Sequence, residues 1–411
     1  MYSTIRPVLA LLRGAAFLQG ASGLQGLLLP LRGQAEGFSE TSLGLLGTAW
    51  ASGFVAGCIL APKMVHRVGH VRAFGTFAAT AAIIALLNGL LIDPTVWIAL
   101  RIITGFSMAG AFMVIESWLN ESATNETRGS VFGVYMIVTF AAIMGGQMAV
   151  AFGDTATQSL FMVAGILYCI ALIPTAMSTA SSPRPLTGAK LDLKALYRNS
   201  PVASVACVLI GIANGSWGTL GAVYGSQIGM TTLNIALMMS LTVVAGAVLQ
   251  LPLGRLSDRM DRRYVLAGAA FVAAIVALAI IVVQPRGGTT VIAMTAAYGA
   301  MAYTLYSLAV AHANDHAKPD DFVMVSGGLL LLYGIGTVVG PLIAAVAMQA
   351  LVPEAIFVAT LLSHAAIGAY AVLRTRQRAA VPMEEKEQFT PVPAERAQTP
   401  EAARLDPRAQ E

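Results

Sequence analysis

The feature that most restricts this chain is a recurrence of apolar stretches about 20 residues long, separated by short polar turns. A helix of that length crosses the roughly 30 Å hydrocarbon core of a bilayer and satisfies every backbone N–H and C=O internally, as that medium demands. Such runs fall at 8–31, 43–62, 73–92, 96–119, 131–152 and 159–177, and again at 202–224, 233–253, 265–284, 290–312, 323–350 and 353–373. The spacing predicts an all-α membrane protein with twelve transmembrane helices. Composition supports this: 56% of the residues are hydrophobic and 11% charged, whereas a soluble chain carries about a quarter charged residues.

The basic residues are confined to alternate loops. With the N-terminus in the cytoplasm, Arg6, Lys63, Arg67, Arg72, Arg128, Arg184, Lys190, Lys194, Arg198, Arg255, Arg259, Arg262, Arg263 and Lys318 lie inside, and only Arg32 and Arg286 outside. That asymmetry places both termini in the cytoplasm. The net charge of +4 is then a topology signal, and the expected partner is the lipid bilayer, not nucleic acid. Cys58, Cys169 and Cys207 sit in separate apolar runs with no metal or redox spacing and read as small buried hydrophobes. With no P-loop, HExxH or GxSxG either, no enzyme, metal or cofactor is expected.

Sliding the chain by about 194 residues superimposes Pro7-Val8 on Pro201-Val202, Gly105 on Gly299, Asn120-Glu121 on Asn314-Asp315, Gly133 on Gly327 and Gly146 on Gly340. Landmarks recurring at one offset indicate a duplicated six-helix unit. The expected organisation is an N-terminal bundle at 1–177, a cytoplasmic loop at 178–200, a C-terminal bundle at 201–375 and a tail at 376–411. The tail is charged, proline-containing and poor in aromatics, so it is expected to be disordered.

The loop after span eight runs Gly254, Arg255, Leu256, Ser257, Asp258, Arg259, Met260, Asp261, Arg262, Arg263. It resembles the G-x-L-x-D-R-x-G-R-R signature of the major facilitator superfamily, with Asp261 at the usual glycine. A carboxylate among guanidinium groups can latch onto neighbouring helix ends and hold one conformation; the plainer account is a basic anchor. The first-half copy, from Pro62 and Lys63 through His66 and Arg67 to Gly69 and Arg72, has His66 at the usual Asp and reads as a weaker latch or, since a histidine titrates near neutrality, as a pH-sensitive one. Glu121 and Asp315, equivalent by the repeat, are the expected latch partners of Arg67 and Arg259.

Span four carries Arg101, Gly105 and Gly110, which is similar to the superfamily's R-x-x-x-G motif. Insertion scales put an arginine at mid-span at about 2.5–3.5 kcal/mol, so an intramembrane charge needs a wet cavity or partners; snorkelling to the interface is the alternative. Gln25 lies at a similar depth, and a hydrogen bond between the two is expected. Glu116 has no acidic counterpart in the repeat, its partner being Val310. It reads either as a proton-coupling site or as an interfacial helix-end acid. The run from Gly105 to Asn120 resembles, more specifically, the YcaD-like bacterial branch.

The resemblance implies two pseudo-symmetric six-helix bundles and a bacterial inner-membrane carrier that rocks residues 1–177 against 201–375 to move a small solute. It is expected to act as a monomer. In that family spans one, four, seven and ten line the central cavity. The candidate solute-binding residues are therefore Gln19, Ser22, Gln25, Arg101, Asn214, Trp217, Tyr303 and Tyr306, with Ser216, Tyr224 and Tyr298 nearby. The gating set is His66, Arg67, Glu121, Gly254, Asp258, Arg259 and Asp315. The first copy of the family's antiporter signature has Gly145-Gly146 but no proline, which weakens a drug-antiporter reading. Proton-linked export is the leading expectation; an uncoupled facilitator and a non-transporting sensor or scaffold are the alternatives.

Overall fold

The computed structural model describes residues 8–124, 127–177, 192–318, 321–392 and 398–405. Arg6, Pro7, Arg184, Lys190, the first part of the expected inter-bundle loop (178–191) and the tail stretches 393–397 and 406–411 lie outside the described residues. Among the described residues there is no strand.

The first six helices are α1 (Leu9–Ala35), α2 (Glu40–Val68), α3 (His70–Leu90), α4 (Pro94–Ser122), α5 (Arg128–Phe152) and α6 (Ser159–Ala176). After the short α7 (Leu193–Asn199) come α8 (Pro201–Gln227), α9 (Thr232–Arg259), α10 (Arg262–Val283), α11 (Gly288–Ala302), α12 (Leu305–Asn314), α13 (Phe322–Ala350) and α14 (Ile356–Thr375). Local chemistry sets several starts. Asp93 caps α4 by accepting from the N–H groups of Thr95 (2.9 Å) and Val96 (3.0 Å), with Pro94 next in line. Ser200 and Pro201 open α8 in the same way.

Eleven described segments are long and apolar enough to cross a membrane, α11 and α12 together forming one of them. The remaining span is α1, which is 27 residues long but diluted in apolar character by Arg13, Gln19 and Gln25. The faces of the spans carry exposed Ile83, Ile137 and Val282, as a multi-pass membrane protein requires. Cys58 and Cys207 are buried as expected; Cys169 is instead exposed on α6.

The chain divides into two compact units: Met1–Phe38, Ala49–Lys190 and Arg396–Glu411 form one, and Ser39–Thr48 and Leu191–Glu395 the other. In the first, α1 packs on α5 and α6, and α3 on α4 and α6. In the second, α8 packs on α13 and α14, and α10 on α11 and α14. The same pairs of spans thus meet in both units, which is the duplication in three dimensions. Its glycines do the same work twice. A Cβ at Gly105 would meet the Trp50 carbonyl and one at Gly299 the Thr242 carbonyl; at Gly146 it would meet Gly20 and at Gly340 Ile212. Each glycine lets two backbones touch.

Two departures from the expected plan matter for function. Span ten is broken at Tyr303 and Thr304, between α11 and α12. The carbonyl of Tyr303 accepts from the Gln250 side chain (3.2 Å), and Gly246 leaves room for the Tyr303 side chain. Second, the described parts of the tail are not free chain. Residues 398–405 form a 3-10 turn (Pro400–Leu405) with Thr399 and Leu405 fully buried. The disorder expected of the tail is corrected for these residues: its composition only prevents it from folding alone, and here helices supply the apolar surface and polar partners.

Candidate transport and gating sites

Glu116 lies six residues before the end of α4 and is fully buried. It therefore does not sit as an exposed helix-end acid. Its carboxylate accepts from the Tyr135 hydroxyl of α5 (3.3 Å), the Thr399 N–H (3.2 and 3.3 Å) and the Thr399 hydroxyl. Among the described residues no cationic side chain pairs with it. A carboxylate held by neutral donors alone is costly to keep charged and is suited to exchanging a proton. Nearby, His70 at the start of α3 lies 3.3 Å from the Ser117 hydroxyl and against Trp118. Tyr135 and Thr399 were not legible as site residues, since neither belongs to a motif.

Toward the other end of α4, Arg101 is buried with its guanidinium 5.8 Å from the centroid of the Trp50 ring, within cation–π range. Gln25 does not bond to Arg101 as expected. Its side-chain oxygen accepts instead from the Tyr168 hydroxyl of α6 (3.0 Å), which lies beside Arg101 and Ser22. Tyr168 takes the acceptor because α1 packs directly on α6. The amide nitrogens of Gln19 and Gln25 are buried and, among the described residues, have no acceptor. The first unit thus brings Arg101, Ser22 and Gln25 together around Tyr168 as a donor-rich patch, with Gln19 buried on the same helix as Ser22 and Gln25.

The second-unit candidates do not form one cluster. Trp217 is fully buried among Tyr224, Tyr298 and Phe357, with ring centroids 5.4–6.5 Å away, and Ser216 donates to the Gly340 carbonyl (2.8 Å). These contacts are made inside the unit. Tyr306 packs edge-on against Tyr333 of α13 at 5.4 Å, and Tyr303 marks the break in span ten. A discontinuous helix near mid-span is where carriers place binding groups, so Tyr303 is the best placed of the set. Asn214 is buried, with no acceptor for its amide nitrogen among the described residues.

The loop between α9 and α10 is a closed electrostatic network. Arg262 donates to Asp315 (2.7 and 3.2 Å), Asp258 (2.8 Å) and Ser257 (2.8 Å). The expected partner of Asp315 was Arg259; Arg262 holds that place because it opens α10, which packs against α12. Arg263 clasps Asp261 and donates to the carbonyls of Arg374 (3.0 Å) and Arg378 (2.8 Å). Burial pushes the Asp261 carboxyl up, but the Arg263 guanidinium and N–H outweigh it and hold Asp261 below the usual carboxylate range. The tail covers this network. Phe389 seats its ring over Gly254, its N–H donates to Asp258 (3.1 Å), and the Glu387 carbonyl accepts from Arg262. In the first-half copy His66, Arg67 and Glu121 are exposed, and among the described residues no ion pair joins Arg67 to Glu121.

Residues 11–289 and 227–405 match the sequence pattern of the Major Facilitator Superfamily. The chain is 29% identical over 350 residues to a protein of Escherichia fergusonii named "Uncharacterized MFS-type transporter YcaD", covering 84% of this chain and 89% of that one. It is 28% identical over 353 residues to the protein of that name from Shigella flexneri, covering 85% and 91%. Among solved structures, a mutant of the nucleoside transporter NupG superimposes with a TM-score of 0.75 at 14% identity, covering 89% of this chain and 99% of that one. A bacterial homologue of the human lysosomal transporter Spinster, inward-facing and occupied, gives 0.75 at 14%, covering 93% and 98%. At such identity these two speak for the fold alone.

Proposed function

Since the chain belongs to the Major Facilitator Superfamily and is a membrane transporter, not an enzyme, we propose that it is a proton-coupled exporter of a small solute in the bacterial inner membrane. The observation that carries the coupling is Glu116: a fully buried carboxylate in a span, met by hydroxyl and N–H donors and by no cation among the described residues. Arg101, Gln19, Ser22 and Gln25 are the solute-facing groups of the first half, and their donor-rich character favours a solute with hydrogen-bond acceptors. Tyr303 and Asn214 serve the second half.

In this reading the protein works as a monomer, with the termini and the basic loops in the cytoplasm and the bundles rocking in alternating access. The loop network of Gly254, Asp258, Arg262 and Asp315 holds one state, with Arg259 exposed beside it, and His66, Arg67 and Glu121 form the weaker copy. The deciding experiment compares small molecules inside and outside cells making the protein, Arg101→Ala or Glu116→Gln at equal membrane levels. A solute exported only by the intact protein, with export collapsing when the proton gradient is discharged, is the expected result. Export that persists unchanged in Glu116→Gln would refute the coupling role, and no difference across varied media would favour the sensor reading.

A further inference from the structure

We propose that the Glu116 site has a resident ligand, the tail segment Gln398–Leu405, which occupies it as an inhibitory plug. The site takes a neutral donor pair, a hydroxyl and an N–H, and Thr399 supplies both to the one carboxylate. Glu116 is thereby enclosed between Tyr135 on one side and the tail on the other. The neighbouring side chains fix the segment in register. The Gln398 amide donates to the Met136 sulfur of α5 (2.8 Å), and the Glu401 N–H donates back to the Thr399 hydroxyl (3.3 Å). Pro400 begins the 3-10 turn, and Ala402 and Leu405 are buried with it.

The like charges at the docking site are partly offset. Glu401 brings a second acid toward Glu116, and Arg404 pairs with it at 3.2 Å, reducing the repulsion between the two carboxylates. A chain segment that cannot fold by itself is ordered only where its partners outweigh the entropy lost. The Glu116 pocket provides those partners. The second-half loop is engaged in a similar way ten residues earlier, where Asp258 accepts the N–H of Phe389, the residue before Thr390-Pro391. Each unit thus offers one acid to a tail N–H at or next to a Thr-Pro step.

While the plug is seated, the oxygens of Glu116 are taken by tail donors, so neither a proton carrier nor a hydroxyl-bearing solute can replace them. Departure of residues 398–405 opens the site. The inhibitory half of this inference rests on Glu116 being the coupling group; the docking half does not.

Docking is tested without any transport assay. In the full-length protein in native membranes, with Cys58, Cys169 and Cys207 changed to Ser, Gln398→Cys and Met136→Cys are introduced together and exposed to copper phenanthroline. Rapid intramolecular cross-linking is expected, slowed about tenfold or more by Thr399→Glu, which sets a carboxylate against Glu116. No cross-link above the single-cysteine controls, in protein whose thiols still react with a small maleimide, would overturn docking. For inhibition, proteoliposomes carrying the full chain or a chain ending at Glu395 are compared for proton flux. A severalfold increase on truncation is expected, and Thr399→Glu should reproduce it without deletion. Equal flux would overturn the plug. Should Glu116→Gln leave flux unchanged while the cross-link forms, the coupling reading and the inhibition fail together and the docking stands.

Discussion

Arg262 and Asp315 form a buried ion pair, 2.7 Å from Nε to Oδ2, with each side chain almost wholly removed from solvent. They lie 53 residues apart, one opening α10 and the other closing α12, so the pair joins a helix start to a helix end across the second unit. Asp258, Ser257 and the Glu387 carbonyl complete the guanidinium's partners, satisfying a charge that would otherwise be unsupported inside the protein.

Removing one partner of this pair should therefore cost far more than the pair contributes. We predict that Asp315→Ala destabilises the protein by about 3–5 kcal/mol, the range for breaking a buried pair from one side. Thermal unfolding in detergent, read by the midpoint, checks this. A midpoint within a degree of the parent would show that the pair is not structural.

The two adjacent glycines of α5 should behave differently. A side chain at Gly146 meets the Gly20 backbone, whereas nothing lies within 4 Å of a Cβ at Gly145. Gly146→Val is expected to lower the yield of monodisperse protein sharply and Gly145→Val to leave it near the parent, as measured by fluorescence size-exclusion chromatography. Gly340→Val should match Gly146→Val, because it meets the Ile212 backbone in the repeat.

Arg101→Lys separates charge from shape. The ammonium keeps the charge but loses the planar face that Arg101 presents to Trp50 at 5.8 Å, a contact of about 0.5–2 kcal/mol. Export is expected to fall about 2- to 30-fold while membrane level stays constant, by the conversion of about 1.4 kcal/mol per factor of ten. Full activity in Arg101→Lys would mean that charge alone suffices.

Docking of the tail should weaken as pH rises. Burial raises the Glu401 carboxyl above its ordinary value, Arg404 partly opposing it, and among the described residues Glu116 is a further titratable group facing it. A folded-state value above the free one means that docking favours the protonated acid. The resulting penalty is absent below the free-chain value and grows as pH climbs through the docked value. A nitroxide on Ala403→Cys should be least mobile near pH 5 and more mobile toward pH 8. Glu401→Gln should flatten the profile; a slope retained in that variant would assign the effect elsewhere.

Much of this protein is set by short-range rules. Hydrophobic run length determined the spans, and loop charge gave the expected topology. The 194-residue offset anticipated the paired glycines, because a bilayer forces each span to be helical and a duplication must reuse its close contacts. The loop signature likewise led to Gly254 and Asp258, and the repeat to Asp315. The choice of partner was decided only in three dimensions. Arg262 holds Asp315 because α10 and α12 are neighbours, and Tyr168 holds Gln25 because α1 packs on α6. The break at Tyr303 carries no proline, and its stability depends on Gln250 from another helix. The tail is the clearest case: its composition says only that it is not expected to fold alone. Whether it is ordered depends on Glu116 and Asp258, residues more than a hundred positions away that supply the acceptors its own sequence lacks.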